Sequence, residues 1–108
     1  MLRPKDQGSE TTLATLVYAH GGAGIMCEPL DFLGTLRYMC IAFNCCVIVP
    51  KYRLAPENKM PAGYTDFQDS FLYFHNNAKE WNLDPSRFAM AGESGGAMIM
   101  LGAMRILV

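Results

Sequence analysis

The segment Gly92-Glu93-Ser94-Gly95-Gly96 (GESGG) stands between a short apolar run at residues 88–91 and an apolar segment at residues 97–107. When a G-x-S-x-G pattern joins a strand to a helix, the serine sits on a strained turn, and its hydroxyl projects above the end of the sheet. The flanking runs supply that strand and that helix. The pattern therefore predicts that Ser94 is a catalytic nucleophile, and an ordinary Gly-rich turn is the alternative interpretation.

The glycines around the serine are predicted to support it. Gly92 and Gly96 lie two residues before and after Ser94, where small residues let neighbouring backbones pack closely. The N–H group of Gly95 would face an oxyanion forming on a substrate, and the positive end of the following helix would favour the same negative charge. We expect Gly95 to be one donor of an oxyanion hole.

A second Gly-rich segment, His20-Gly21-Gly22-Ala23-Gly24, follows the apolar run at residues 13–19. Gly-rich backbone can turn its N–H groups toward a substrate oxygen without steric hindrance, and each well-placed donor is worth ~10²- to 10³-fold in rate. We predict Gly22 and Ala23 as donors, with Gly21 in a supporting position.

Two histidines are present. His20 is predicted to orient its loop through a hydrogen bond, with a role as general base as the alternative. His75 lies in an aromatic helical run and is predicted to be a surface or packing residue.

Apolar periodicity predicts an α/β chain in which strands and helices alternate. The expected strands are 13–19, 45–49 and 88–91, and the expected helices are 29–43, 64–82 and 97–107, with a loop at 51–63 and a turn at 84–87. The first helix should bury an apolar stripe (Leu30, Leu33, Leu36, Cys40, Phe43), and the aromatic stripe of the second should form core. This order predicts a parallel sheet covered on both faces, a three-layer αβα arrangement.

Composition narrows the possible functions. A chain of 108 residues allows one domain or part of one, and a net charge of -1 without a Lys/Arg cluster argues against nucleic acid and anionic membranes as partners. The longest apolar run is too short to span a bilayer, so no membrane segment is predicted. The four cysteines (Cys27, Cys40, Cys45, Cys46) lack C-x-x-C spacing. We therefore expect no metal site and buried reduced thiols, which favour the cytoplasm.

Three blocks resemble the hormone-sensitive-lipase and arylacetamide-deacetylase branch of the α/β hydrolases. The family's H-G-G-G loop resembles residues 20–23, and its Y-R-L-A-P-E block followed by P-A-x-x-x-D matches residues 52–57 and 61–66. Its D-P-x-R before G-D-S-A-G-G resembles residues 84–87 and 92–96. The resemblance implies a partial α/β-hydrolase fold and hydrolysis of small carboxylic esters or amides through an acyl-enzyme, without a cofactor. It also implies scaffold roles for four residues (Tyr52, Arg53, Pro56, Asp66).

Three site positions depart from the family pattern. Ala23 replaces a glycine, which is tolerable if its φ stays negative and unfavourable if the loop needs a positive φ. Glu93, a supporting residue, stands where Asp is usual, and Gly95 stands where Ala is common.

The triad of this fold runs Ser, then Asp or Glu, then His, and no His follows Ser94. We therefore expect residues 1–108 to be the N-terminal portion of a single hydrolase domain, nearly inactive alone. The last helix should expose apolar surface (Met98, Met100, Leu101, Met104) that an oligomer partner or a further segment covers. The alternative function is a non-catalytic small-ligand-binding protein on the same scaffold, as the plant gibberellin receptor is for this family.

Overall fold

Strands and helices alternate along the chain in the computed structural model, which describes residues 1–5, 7–8 and 10–107. In chain order they are β1 (Leu13–Ala19), α1 (Leu33–Ala42), β2 (Cys46–Ile48), α2 (Ala62–Asn76), β3 (Leu83–Gly92) and α3 (Gly95–Leu107). A 3₁₀ turn, Pro29–Phe32, precedes α1, and another, Ala78–Trp81, follows α2. The predicted α/β alternation is confirmed.

The three strands form one parallel sheet in the order β2-β1-β3. On β1, Ala19 is the register partner of Gly92 on β3, so both strands end at the same level. Because the strands are parallel, the segments that follow them leave the sheet at the same edge. This register brings the two Gly-rich segments together.

Helices cover both faces of the sheet. On one face, Leu36 and Cys40 of α1 pack with a buried cluster that includes Cys45. On the other face, Phe67 of α2 and Ile99 of α3 pack with a cluster that includes Cys46. The three-layer αβα arrangement is confirmed, and the neighbouring thiols of Cys45 and Cys46 belong to opposite layers.

The aromatic stripe predicted in the second helix forms core. Phe67 is fully buried, and Phe71, Phe74 and Trp81 pack against the same cluster. The run is not one continuous helix, because α2 ends at Asn76 and the 3₁₀ turn that follows is capped by Asn82, whose φ is +51°. A left-handed residue of this kind terminates helical structure.

The first helix departs most from its prediction. Leu30 and Phe43 are 70% and 64% exposed, and Leu36 and Cys40 are the buried residues of α1. Leu30 lies in the 3₁₀ turn, where three residues per turn change the phase of the apolar stripe. Phe43 lies beyond the last helical residue.

Two strand boundaries also differ. The strand predicted at 45–49 pairs only over Cys46–Ile48. The turn predicted at 84–87 lies inside β3, where the register shifts between the pairs of Leu13 and Thr15 and leaves a bulge. The Asp84 carboxylate accepts hydrogen bonds there from the N–H of Ser86 at 2.9 Å and from Nε of Arg87 at 2.6 Å. These bonds explain how turn residues fit within a strand.

Within the described ranges, no helix combines the length and apolar character needed to cross a membrane. The same residues contain no group of three His, Cys, Asp or Glu side chains arranged to hold a metal ion.

Candidate active site

Ser94 occupies the turn between β3 and α3. Its φ is +49°, in the left-handed region that non-Gly residues adopt only when the surrounding structure holds them there. The N–H of Gly96 donates to the carbonyl of Glu93 at 2.8 Å and closes the turn. Ser94 is exposed. The segment therefore presents a serine hydroxyl to solvent at the carboxyl end of the sheet.

Gly92 and Gly96 allow close backbone contacts on either side of this turn. A Cβ atom on Gly96 would lie 2.1 Å from the carbonyl oxygen of Ala19, and one on Gly92 would lie 2.7 Å from the carbonyl oxygen of Gly96. No side chain fits at either position without moving backbone. The start of α3 is thereby held directly against the end of β1.

The His20–Gly24 loop makes a tight turn after β1. Gly22 has a φ of +120°, and its carbonyl accepts hydrogen bonds at 3.0 Å from the N–H groups of Ile25 and Met26. A Cβ on Gly22 would lie 2.1 Å from the carbonyl oxygen of Met26, so only glycine fits. Ala23 also has a positive φ, +57°, which is the unfavourable case for the Ala that replaces a family glycine.

The two Gly-rich segments meet at Ala23 and Gly95. A Cβ atom on Gly95 would lie 2.5 Å from both the N and the Cα of Ala23. The Glu93 side chain lies beside Gly21, with Oε1 3.4 Å from the place of a Cβ on that glycine. Burial, followed by the charge and hydrogen bonding of Glu93, raises the pKa of the neighbouring Tyr18. The structure thus groups every residue of the predicted site at the carboxyl ends of β1 and β3.

His20 is buried behind this loop. Its Nδ1 lies 2.7 Å from the carbonyl oxygen of Gly21, and its ring stacks on Tyr52 and Phe32 with centroids 4.5 Å and 5.7 Å away. The Tyr52 hydroxyl donates to the His20 carbonyl. These contacts fit an orienting role better than a general base, since the described hydrogen bonds of His20 do not include Ser94.

His75 lies on α2 away from this edge. It stacks on Phe71 at 5.9 Å and meets Phe88 edge-on at 5.2 Å, so its described contacts are packing contacts.

The segment that begins at Tyr52 supports the loop from behind. Burial raises the pKa of Tyr52 to about 12. The N–H of Ala55 donates to the Gly24 carbonyl at 2.8 Å. The Arg53 guanidinium binds both carboxylate oxygens of Asp66 at 2.8 and 2.9 Å and, chiefly by these hydrogen bonds, lowers the pKa of that carboxyl. The resemblance to the hydrolase branch predicted that Tyr52, Arg53 and Asp66 are scaffold residues. Nothing in the sequence predicted the hydrogen bond from Ala55 to Gly24.

The thiols do not share one environment. Burial raises the pKa of Cys46 to about 11 and also raises the pKa values of Cys40 and Cys45. Cys27 corrects the expectation of four buried thiols, because it is only half-buried and lines a cavity of about 380 Å³ with His20 and other residues. Cys27 is partly exposed because it lies just after the Gly-rich turn. The preference of cysteine for buried positions could not predict this exposure.

Comparison with known proteins identifies similar chains. Residues 16–107 match a family model described as alpha/beta hydrolase fold. A serine-to-alanine mutant of an alpha/beta hydrolase enzyme from the metagenome of Lake Arreo is 30% identical, with a TM-score of 0.88 over 96% of this chain and 32% of that one. An ester-hydrolase from the same metagenome, complexed with a bipyridine phosphonate derivative, is 32% identical, with a TM-score of 0.86 over 97% of this chain and 33% of that one.

A structure from a study of two fungal esterases from Rhizomucor miehei is 25% identical, with a TM-score of 0.88 over 94% of this chain and 31% of that one. The chain therefore spans about a third of the length of each of these structures.

Proposed function

This chain belongs to the alpha/beta hydrolase fold family, and we propose that its protein hydrolyses carboxylic esters with Ser94 as the nucleophile. One observation carries the proposal: the Ser94 hydroxyl is exposed on a strained turn at the end of the sheet, directly beside the contact between Ala23 and Gly95. Similar solved structures described as an ester-hydrolase and as fungal esterases support this choice of reaction.

In the proposed reaction, the Ser94 oxygen attacks the ester carbonyl carbon and the carbonyl oxygen takes up negative charge. The C–O bond to the alcohol then breaks, the alcohol leaves with a proton, and the acyl group remains on Ser94 until water releases it as a carboxylic acid. Backbone N–H groups of Gly22, Ala23 and Gly95 stabilise the oxyanion, each contributing ~10²- to 10³-fold. The N-terminus of α3 favours the same charge.

The proposal requires a general base for the Ser94 proton. Across the described part of the chain, no side chain hydrogen-bonds the Ser94 hydroxyl, and the sequence contains no His after Ser94. We place the catalytic acid and His on chain outside these 108 residues, which would then be the N-terminal portion of a single hydrolase domain. Loss of triad members costs ~10⁴- to 10⁶-fold in turnover, so the isolated chain should be nearly inactive.

The test is hydrolysis of p-nitrophenyl acetate and butyrate by the product of the complete gene, by the 108-residue chain, and by Ser94→Ala variants of both. We expect turnover by the complete product, loss of that turnover in its Ser94→Ala variant, and near-background rates for the short chain. Turnover that survives Ser94→Ala would contradict the assignment of the nucleophile.

The same experiment separates catalysis from the receptor-like alternative. A folded complete product that hydrolyses neither ester would overturn the enzymatic proposal. Binding of a small carboxylic acid to that product, measured by calorimetry and weakened by altering the Ala23 loop, would then favour a ligand-binding protein.

A further inference from the structure

We propose that Ala23 and Gly95, two of the three proposed oxyanion donors, form a matched positioning pair, in which the absence of a side chain at residue 95 lets the strained backbone of Ala23 pack against Gly95 and hold both donors in place. This inference rests on the proposed function for its catalytic meaning, but the contact itself can be tested without any substrate. Each residue departs from the family pattern on its own. The structure shows that both departures fall at a single point of contact.

The contact leaves no room for a side chain at residue 95. The N and Cα of Ala23 would each lie 2.5 Å from a Cβ on Gly95, and the carbonyl carbon of Ala23 would lie 2.9 Å away. All three are backbone atoms, so no rotamer change can relieve the overlap. A methyl group at residue 95 therefore requires the backbone of Ala23 or of Gly95 to shift.

The loop cannot shift freely, because it is held from behind. The N–H of Ala55 binds the carbonyl of Gly24, and the hydroxyl of Tyr52 binds the carbonyl of His20. The Gly22 carbonyl is also engaged by two N–H groups within the turn. Because Gly24 follows Ala23 directly, a displacement of Ala23 is expected to disturb the hydrogen bond between Gly24 and Ala55.

Ala23 contributes stiffness to this arrangement. Its φ of +57° is accessible to alanine but disfavoured relative to glycine, and few alternative conformations are open to it. A glycine at residue 23 would have more conformations available and could move aside from a methyl group at residue 95. The two positions should therefore be energetically coupled, and glycine at 23 should partly compensate for alanine at 95.

The test compares the complete gene product with its Gly95→Ala, Ala23→Gly and double variants by thermal unfolding and by hydrogen exchange of the Ala55 amide. Gly34→Ala is the matched control, since a Cβ on Gly34 meets no atom within 4 Å. We expect Gly95→Ala to lower Tm by ~5 °C or more and to speed Ala55 exchange ~10-fold or more. In the double variant, glycine at residue 23 should restore more than half of the lost Tm and of the lost exchange protection. Gly34→Ala should leave Ala55 exchange unchanged.

Additive effects of the two substitutions, or unaltered Ala55 exchange in Gly95→Ala, would overturn the pair. If Gly95→Ala fails to fold while the double variant folds, that rescue itself supports the coupling. If neither folds, Ala23→Gly alone decides: the proposal requires its Ala55 exchange to be faster than in the parent chain, because the loop has lost its stiffness. None of these measurements involves hydrolysis. The proposed coupling of Ala23 with Gly95 and the proposed esterase activity can therefore be contradicted separately.

A kinetic reading then links the pair to the reaction. In the complete gene product, Gly95→Ala should lower kcat for p-nitrophenyl butyrate ~10-fold or more with little change in KM, because the donors act on the oxyanion of the transition state. A change in KM alone would contradict their proposed role.

Discussion

The hydroxyl of Tyr52 donates a hydrogen bond to the backbone carbonyl of His20, and the two rings stack with centroids 4.5 Å apart. Tyr52→Phe keeps the stack and removes a hydrogen-bond donor from the carbonyl of the buried His20. We expect the free energy of unfolding to fall by ~1–2 kcal/mol. Urea unfolding measures this loss, and Tyr38→Phe, on a side chain that is 72% exposed, is the matched control. Equal effects of the two substitutions would show that the hydrogen bond contributes nothing.

Acid should destabilise the protein through two carboxylates. Hydrogen bonds from Ser86 and then Arg87 lower the pKa of Asp84 to about 2, and the hydrogen bond from Arg53 lowers that of Asp66. The unfolded chain binds protons below pH ~4 that the folded chain excludes, so stability present above that pH is lost as the pH falls toward 2. The urea midpoint, measured from pH 5 to pH 2.5, should fall throughout this range.

Asp84→Asn provides the check on that acid dependence. It should flatten the decline, since one of the two carboxylates no longer titrates. An unchanged slope in Asp84→Asn would contradict the assignment.

The four thiols should react in two classes. Thiolate is the reactive form, and burial raises the pKa of Cys40, Cys45 and Cys46, whereas Cys27 is half-buried beside a cavity. With Ellman's reagent at pH 8, we expect one fast equivalent in the folded chain and three more in urea. Cys27→Ser should abolish the fast phase, while Cys40→Ser should leave it intact. Two or more fast equivalents would contradict the burial of Cys40, Cys45 and Cys46.

Among the residues whose burial the structure describes, Phe67 has the largest fully buried side chain, and it packs between α2 and the sheet. Phe67→Ala should reduce the free energy of unfolding by ~3–5 kcal/mol through lost apolar transfer and the cavity left behind. Leu30→Ala, at a position that is 70% exposed, should change it by less than ~0.5 kcal/mol. Thermal unfolding of both variants measures the difference. A small effect at Phe67 would mean that the core can collapse around the missing ring.

Local patterns predicted the elements better than the exposure of individual side chains. The run at residues 13–19 matches β1 residue for residue because a strand between polar residues and a Gly-rich break has clear ends. Leu30 and Phe43 fit a helical stripe by spacing and yet are exposed. Spacing could not show that the first turn is 3₁₀ or that the helix stops before Phe43, since both depend on how the helix meets the sheet.

The sequence by itself determined the alternation of strands and helices and the strand–turn–helix setting of Ser94, because apolar periodicity and glycine placement act between chain neighbours. Only the tertiary structure decided that Ala23 has a positive φ and that its backbone lies against Gly95. The register of Ala19 with Gly92 brings the two distant segments to the same end of the sheet, where that contact forms. Contacts between segments far apart in the chain depend on that packing, which no local pattern encodes.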